Sequence, residues 1–129
     1  MGFLKRKKKK PDFIRIETKP LIDWDEPNGD GCIVSDKITR EGFKVGYMYR
    51  TEPHPDYPDS GWWFLAGNED EDYMNDPANH HIFKINTLCN YDEGVIPYIH
   101  SPAGTEWVRV AGGKFEPDDG SNEILIEKR

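Results

Sequence analysis

The sequence predicts an α+β fold: a mostly antiparallel β-sheet with a few short helices, forming a single compact domain. Three observations predict it. The apolar segments are short and either alternate with a period of two or fill both faces of a strand. Turn signals separate them, since 12 Gly and 10 Pro punctuate a chain of 129 residues. Four Trp, six Tyr and six Phe are more aromatic residues than an unfolded chain carries, so a core is expected. The length suits one domain.

Residues 13–16 alternate as a first strand, with Ile14 and Ile16 on one face. Residues 20–31 hold Pro27, Asn28-Gly29 and Asp30-Gly31, and read as a loop. Cys32, Ile33 and Val34 form a short buried strand. In residues 44–50, Val45, Tyr47 and Tyr49 share one face while Gly46 and Met48 take the other. Pro53, Pro55 and Pro58 cannot donate to a ladder, so residues 51–61 are a loop. Residues 62–66 are apolar on both faces, with Trp62 and Phe64 on one and Trp63 and Leu65 on the other. That is the pattern of a central strand covered on both sides. Residues 67–76 are acidic and form one helical turn closed before Pro77. Residues 82–90 read two ways: Phe83 and Ile85 alternate as in a strand, whereas Ile82, Ile85 and Leu88 fit a helix. Asp92 can cap a short helix that Pro97 limits. Residues 107–110 read as a strand before a Gly112-Gly113 turn, and residues 124–126 as a terminal edge strand.

The net charge of −7 averages two unlike regions. Lys5, Arg6, Lys7, Lys8, Lys9 and Lys10 are consecutive. Without them 11 basic residues face 24 acidic ones, a balance of −13. Residues 1–12 therefore read as a disordered basic tail and residues 13–129 as a single acidic α+β domain. No apolar run approaches the roughly 20 residues of a membrane helix, and the basic start runs into Pro11 and Asp12 where a signal peptide is apolar. Two cysteines make no disulfide framework, which points to a reducing, cytoplasmic setting.

Chemistry-bearing motifs are sparse. There is no glycine-rich phosphate loop and no Cys-x-x-Cys pair. His80 and His81 follow the acidic run, but neighbours on a strand point to opposite faces, so no metal site is expected. Cys32 and Cys89 sit in apolar or mixed segments and read as inert core thiols. A contiguous solvated carboxylate run rarely raises a pKa enough for acid–base work. The expectation is a protein that is not an enzyme, with no cofactor and no small-molecule substrate.

The binding candidates are Glu69, Asp70, Glu71, Asp72 and Asp76, together with Tyr57 and Arg50 of the Pro-rich loop. The plain reading of the carboxylates is a solvated, solubilising loop. The sharper one is a contact patch for a basic protein. Tyr57 is the aromatic best placed for a contact, because loops carry contacts and Tyr suits interface hot spots. Tyr47, Tyr49, Trp62 and Trp63 are mostly core by pattern. The basic tail suits an anionic membrane or nucleic acid, at about 1 kcal/mol per charge near an anionic surface. The acidic body opposes that use, and a solvated tail is preferred.

From Gly31 onward the sequence resembles a bacterial family. The blocks are Cys32-Ile33-Val34-Ser35-Asp36-Lys37-Ile38 and Lys44-Val45-Gly46-Tyr47-Met48-Tyr49-Arg50, then Asp59-Ser60-Gly61-Trp62-Trp63-Phe64-Leu65-Ala66-Gly67. Asp70-Glu71-Asp72-Tyr73-Met74, Asn90-Tyr91-Asp92, Ile96-Pro97-Tyr98 and Ser101-Pro102 follow. In order and spacing they resemble immunity protein family 33, formerly domain of unknown function 2185, over about residues 31–110. The resemblance implies a protein that binds and neutralises a cognate bacterial toxin, often encoded beside it in polymorphic toxin systems. It carries no catalytic residue. A basic toxin is the expected partner, because a carboxylate-rich inhibitor can occupy a cleft built for phosphate. The alternative is a regulatory or adaptor protein docked to an anionic membrane or nucleic acid by residues 5–10. A hydrolase using His80 or His81 would need at least three of the histidines and carboxylates to converge.

Overall fold

The structure is a computed structural model, and it describes residues 10–129. Its strands are β1 (Gly31–Ser35), β2 (Tyr47–Arg50), β3 (Trp62–Leu65), β4 (His80–Lys84), β5 (Glu106–Arg109) and β6 (Phe115–Pro117). The helices are α1 (Asp36–Thr39), α2 (Glu71–Asn75) and α3 (Ile85–Tyr91), with 3-10 turns at Pro77–Asn79 and Glu93–Tyr98. The strands make one sheet in the order β4-β1-β3-β2-β5-β6. β1 and β3 run parallel, and the other neighbours are antiparallel. The α+β class and the mostly antiparallel sheet are as the sequence predicts.

One face of the sheet carries Cys32, Val34, Met48, Trp62, Phe64 and Phe115. It packs on Ile38 of α1, on Ile85, Leu88, Cys89 and Tyr91 of α3, and on Val95 and Ile99. Fully burying a side chain such as Phe64 stabilises by about 1.5–3 kcal/mol, and this layer holds most of the large buried apolar groups. β3 lies between β1 and β2, the central position its pattern predicts. Trp62 and Phe64 are buried on the core side. On the other side Leu65 is buried but Trp63 only half-buried, so the second cover is partial.

The ambiguous segment 82–90 is both things its pattern suggested. It is strand to Lys84 and helix from Ile85, with no loop between. Asp92 caps the next turn, its Oδ1 accepting from the Gly94 N–H at 3.0 Å. Gly61 opens β3 at a φ of +83°, in the left-handed region where a Cβ would also collide with the Thr51 carbonyl oxygen.

Two expected strands are absent. Residues 13–16 pair with no strand; Ile14 N–H donates to the Thr39 carbonyl at 2.7 Å and the segment lies across the core layer. Asn side chains of α3 serve the backbone that follows: Asn86 Oδ1 accepts from Leu21 and Ile22 N–H, and Asn90 Oδ1 from Lys19 N–H. Residues 124–126 form no strand either. Leu125 makes a backbone bond to Arg109, while β6 occupies the sheet edge beside β5.

Of the basic tail, residues 10–12 are described, and the remainder lies outside the described residues. Lys10 Nζ donates to Asp36 Oδ2 at 3.2 Å, to the Ala78 carbonyl at 2.9 Å and to Asn79 Oδ1 at 2.7 Å. Asp36 is buried and is also met by Arg40 Nε at 3.2 Å and His81 Nδ1 at 2.6 Å.

Candidate functional site: the acidic turn and the open sheet face

The acidic run is a folded turn rather than a loose string of carboxylates. Gly67, at a φ of +104°, turns the chain out of β3. Glu69 then folds back, its two carboxylate oxygens accepting from Ala66 and Gly67 N–H at 2.8 Å each. Asp70 is the N-cap of α2 and accepts from Tyr73 N–H at 2.7 Å. Asp76 caps the following 3-10 turn, accepting from Ala78 N–H at 2.9 Å. Helix starts leave N–H groups without intrahelical partners, and carboxylates satisfy them well. Three of the five expected contact carboxylates are thus engaged locally. Glu71 and Asp72, in the first turn of α2, are exposed and take part in no hydrogen bond or ion pair among the described residues.

Arg50 is placed inside the molecule, 7% exposed. Its Nε donates to the Ser60 carbonyl at 2.8 Å, one terminal nitrogen to the Ser101 carbonyl at 2.9 Å and the other to Glu26 Oε1 at 2.8 Å. Its guanidinium also lies over the Trp24 ring. That set engages all three guanidinium nitrogens and ties three loops together. Burial pushes the Glu26 carboxyl up, but hydrogen bonds and charge from Arg50 and His100 outweigh it and hold it below its ordinary value.

Tyr57 is exposed, stacked on His54 with ring centroids 4.3 Å apart. With Pro58, Ile82, Phe83 and Lys84 it walls an apolar cavity of about 420 Å³. Ile82 also lines a neighbouring cavity of about 280 Å³ with Ile33, Trp63, Met74 and Pro77.

Register explains why these apolar groups meet. Ile82 of β4 sits opposite Ile33 of β1, Ile33 opposite Trp63 of β3, Trp63 opposite Tyr49 of β2, and Tyr49 opposite Glu106 of β5. Paired residues share a face, so a single row crosses five strands on the side away from the core layer. Ile82 is 68% exposed. Tyr49 stacks on Trp63 at 5.6 Å. Tyr47 lies beside Tyr49, its phenol pushed up to about 12 by burial and then by the charges of Glu106 and Asp118. The sequence pattern puts Trp63, Tyr47 and Tyr49 mainly in the core and gives Ile82 no distinct place. The signal was present: with β4 in register, Phe83 and Ile82 must face opposite ways.

The histidines are dispersed. His54 stacks on Tyr57, His80 lies against Trp63 and Tyr73, His81 meets Asp36, and His100 meets Glu26 at 2.6 Å. Among the described residues no three His, Cys, Asp or Glu side chains gather in a metal-holding group. Both cysteines are buried and free. Burial, then the Asp92 charge, pushes the Cys89 thiol up to about 12, and burial holds the Cys32 thiol well above its ordinary value. A thiol so raised stays protonated and is a poor nucleophile.

The chain is thus a small α+β domain with dispersed histidines, protonated thiols and a half-open aromatic sheet face. The sequence model described as the immunity protein Imm33 domain matches residues 32–119, well over half of the chain, and the chain belongs to that family. The match extends past the expected end near residue 110 to take in β6. Such immunity proteins are generally non-enzymatic and imply a cognate toxin as partner. No curated protein and no solved structure matches the chain.

Proposed function

We propose that this protein binds and neutralises a cognate bacterial toxin in the cytoplasm, holding a basic toxin through its acidic surface. Membership of the immunity family carries the reading. The exposed pair Glu71 and Asp72 supports the electrostatic part, because solvent-exposed carboxylates, here with no partner among the described residues, are the ones that steer a cationic protein. No reaction is assigned to the chain; neutralisation is by occupancy.

The test is co-expression with the toxin encoded beside the gene, and binding to the purified, catalytically inactivated toxin domain. The wild-type chain restores growth, and its association weakens as salt rises. Reversing both charges, Glu71→Lys with Asp72→Lys, slows association several-fold with little change in melting temperature. A toxin domain that is not bound even at low salt overturns the reading. Unchanged binding by the reversed variant removes these two carboxylates from it.

A further inference from the structure

The acidic turn supplies two carboxylates without a partner among the described residues, which is too little for a stable interface. The open sheet face supplies more. The row Ile82, Ile33, Trp63 and Tyr49 is continuous, and Ile82 on the edge strand β4 is the most exposed of the large apolar side chains among the described residues. Five strands side by side and four residues deep span about 19 Å by about 14 Å, or roughly 260 Å². One side of a standard interface takes about 800 Å². The face is thus large enough for the apolar centre, with its surroundings as the rim.

The rim identifies the occupant. Asp30 walls the Tyr57 cavity, Glu106 and Glu116 lie on this face of β5 and β6, and α2, which carries Glu71 and Asp72 in its first turn, meets the face through Met74 and Asn75. Of the cations nearby among the described residues, Lys84 stands on β4, Lys10 is held by Asp36, Ala78 and Asn79, and Lys37 is held by Asn68 and the Tyr73 ring. An apolar centre inside a carboxylate rim fits a protein surface with an apolar projection ringed by lysine or arginine.

We propose that the cognate toxin docks on the open sheet face, with an apolar side chain seated beside Ile82 and Tyr57 and its basic residues on the carboxylate rim. This rests on the reading that the chain neutralises a toxin. It puts the centre of contact on the sheet and makes the acidic turn one part of the rim.

Two variants at exposed side chains test it, Ile82→Asp and Tyr57→Ala, with Glu17→Lys as a charge change on the helical side of the molecule. Each is measured for affinity to the inactivated toxin domain, for melting temperature and for oligomeric state. Ile82→Asp is expected to weaken binding about 30-fold or more and Tyr57→Ala about 10-fold. Their melting temperatures should match wild type, and Glu17→Lys should bind normally. If both face variants bind within twofold of wild type while wild type neutralises the toxin, the sheet-face proposal falls and the toxin reading stands. If Ile82→Asp instead separates a dimer and leaves toxin binding intact, the face belongs to a second copy and the proposal is overturned. If wild type binds no toxin, both fall together.

Discussion

Asp92 accepts from four donors: Val45 N–H at 2.9 Å, Gly94 N–H at 3.0 Å, and the two terminal nitrogens of Arg109 at 2.9 and 3.2 Å. Both partners of the ion pair are buried. Removing one charge from such a pair leaves the other unpaired in a low dielectric, and the orphaned Val45 N–H adds to the loss. Asp92→Ala is expected to cost about 3–5 kcal/mol, a large share of the roughly 5–15 kcal/mol that holds a domain folded. Urea unfolding checks it. Asp92→Asn, which keeps one carbonyl acceptor, should cost less, and a loss under about 1 kcal/mol for Asp92→Ala would contradict the assignment. Arg50 has the same character. Its charge reads from sequence as a partner contact, yet each of its three guanidinium nitrogens donates inward, to Ser60, Ser101 and Glu26. Whether an arginine is surface or scaffold depends on distant loops, which local pattern does not report.

Elements whose signals were local were legible. Asp92 was legible as a cap because it lies two residues before the N–H it serves, ahead of a segment that Pro97 limits, whereas Asp70 and Asp76, contact candidates by sequence, are caps as well. β3 was legible as central because its apolar residues fill both faces. Segment 13–16 alternates like a strand, but its backbone is met by Thr39 and Tyr91, remote in sequence. β6 has three residues and no alternation to announce it. The binding candidates were legible as charge and not as geometry: nothing local distinguishes the capping Asp70 from the exposed Asp72. A five-residue helix such as α2 is too short to hold itself, so its cap should matter. Asp70→Ala should cost about 1 kcal/mol, and because α2 buries no residue completely the opening should stay local. Hydrogen exchange is expected to speed up at the Tyr73 and Met74 amides while β1 and β3 keep their protection. Equal acceleration across the sheet would show that the turn is coupled to the core.

At the scale of the whole molecule, the family match begins at residue 32, yet the preceding segment helps complete the fold. Ile14, Ile16, Leu21, Ile22 and Trp24 pack against the core, and Glu26 fastens this segment to Arg50 and His100. Trp24 stacks on His100 at 5.1 Å, so the fastening is apolar as well as ionic. Because the folded state holds the Glu26 carboxyl below its ordinary value of 4.5, folding favours its charged form. That contribution is complete above the ordinary value and is lost as pH falls through the depressed one. Arg50 keeps its charge throughout. Glu26→Gln is therefore expected to destabilise most near neutral pH. As pH falls from 4.5 through the depressed value, the wild-type and variant stabilities should converge, because the wild type then progressively loses the interaction the variant already lacks. Thermal unfolding of both chains across the acid range measures the gap. A gap that stays constant down to a pH at which the folded-state carboxyl is itself protonated would mean that packing, through Trp24 and His100, holds the segment without help from the charge.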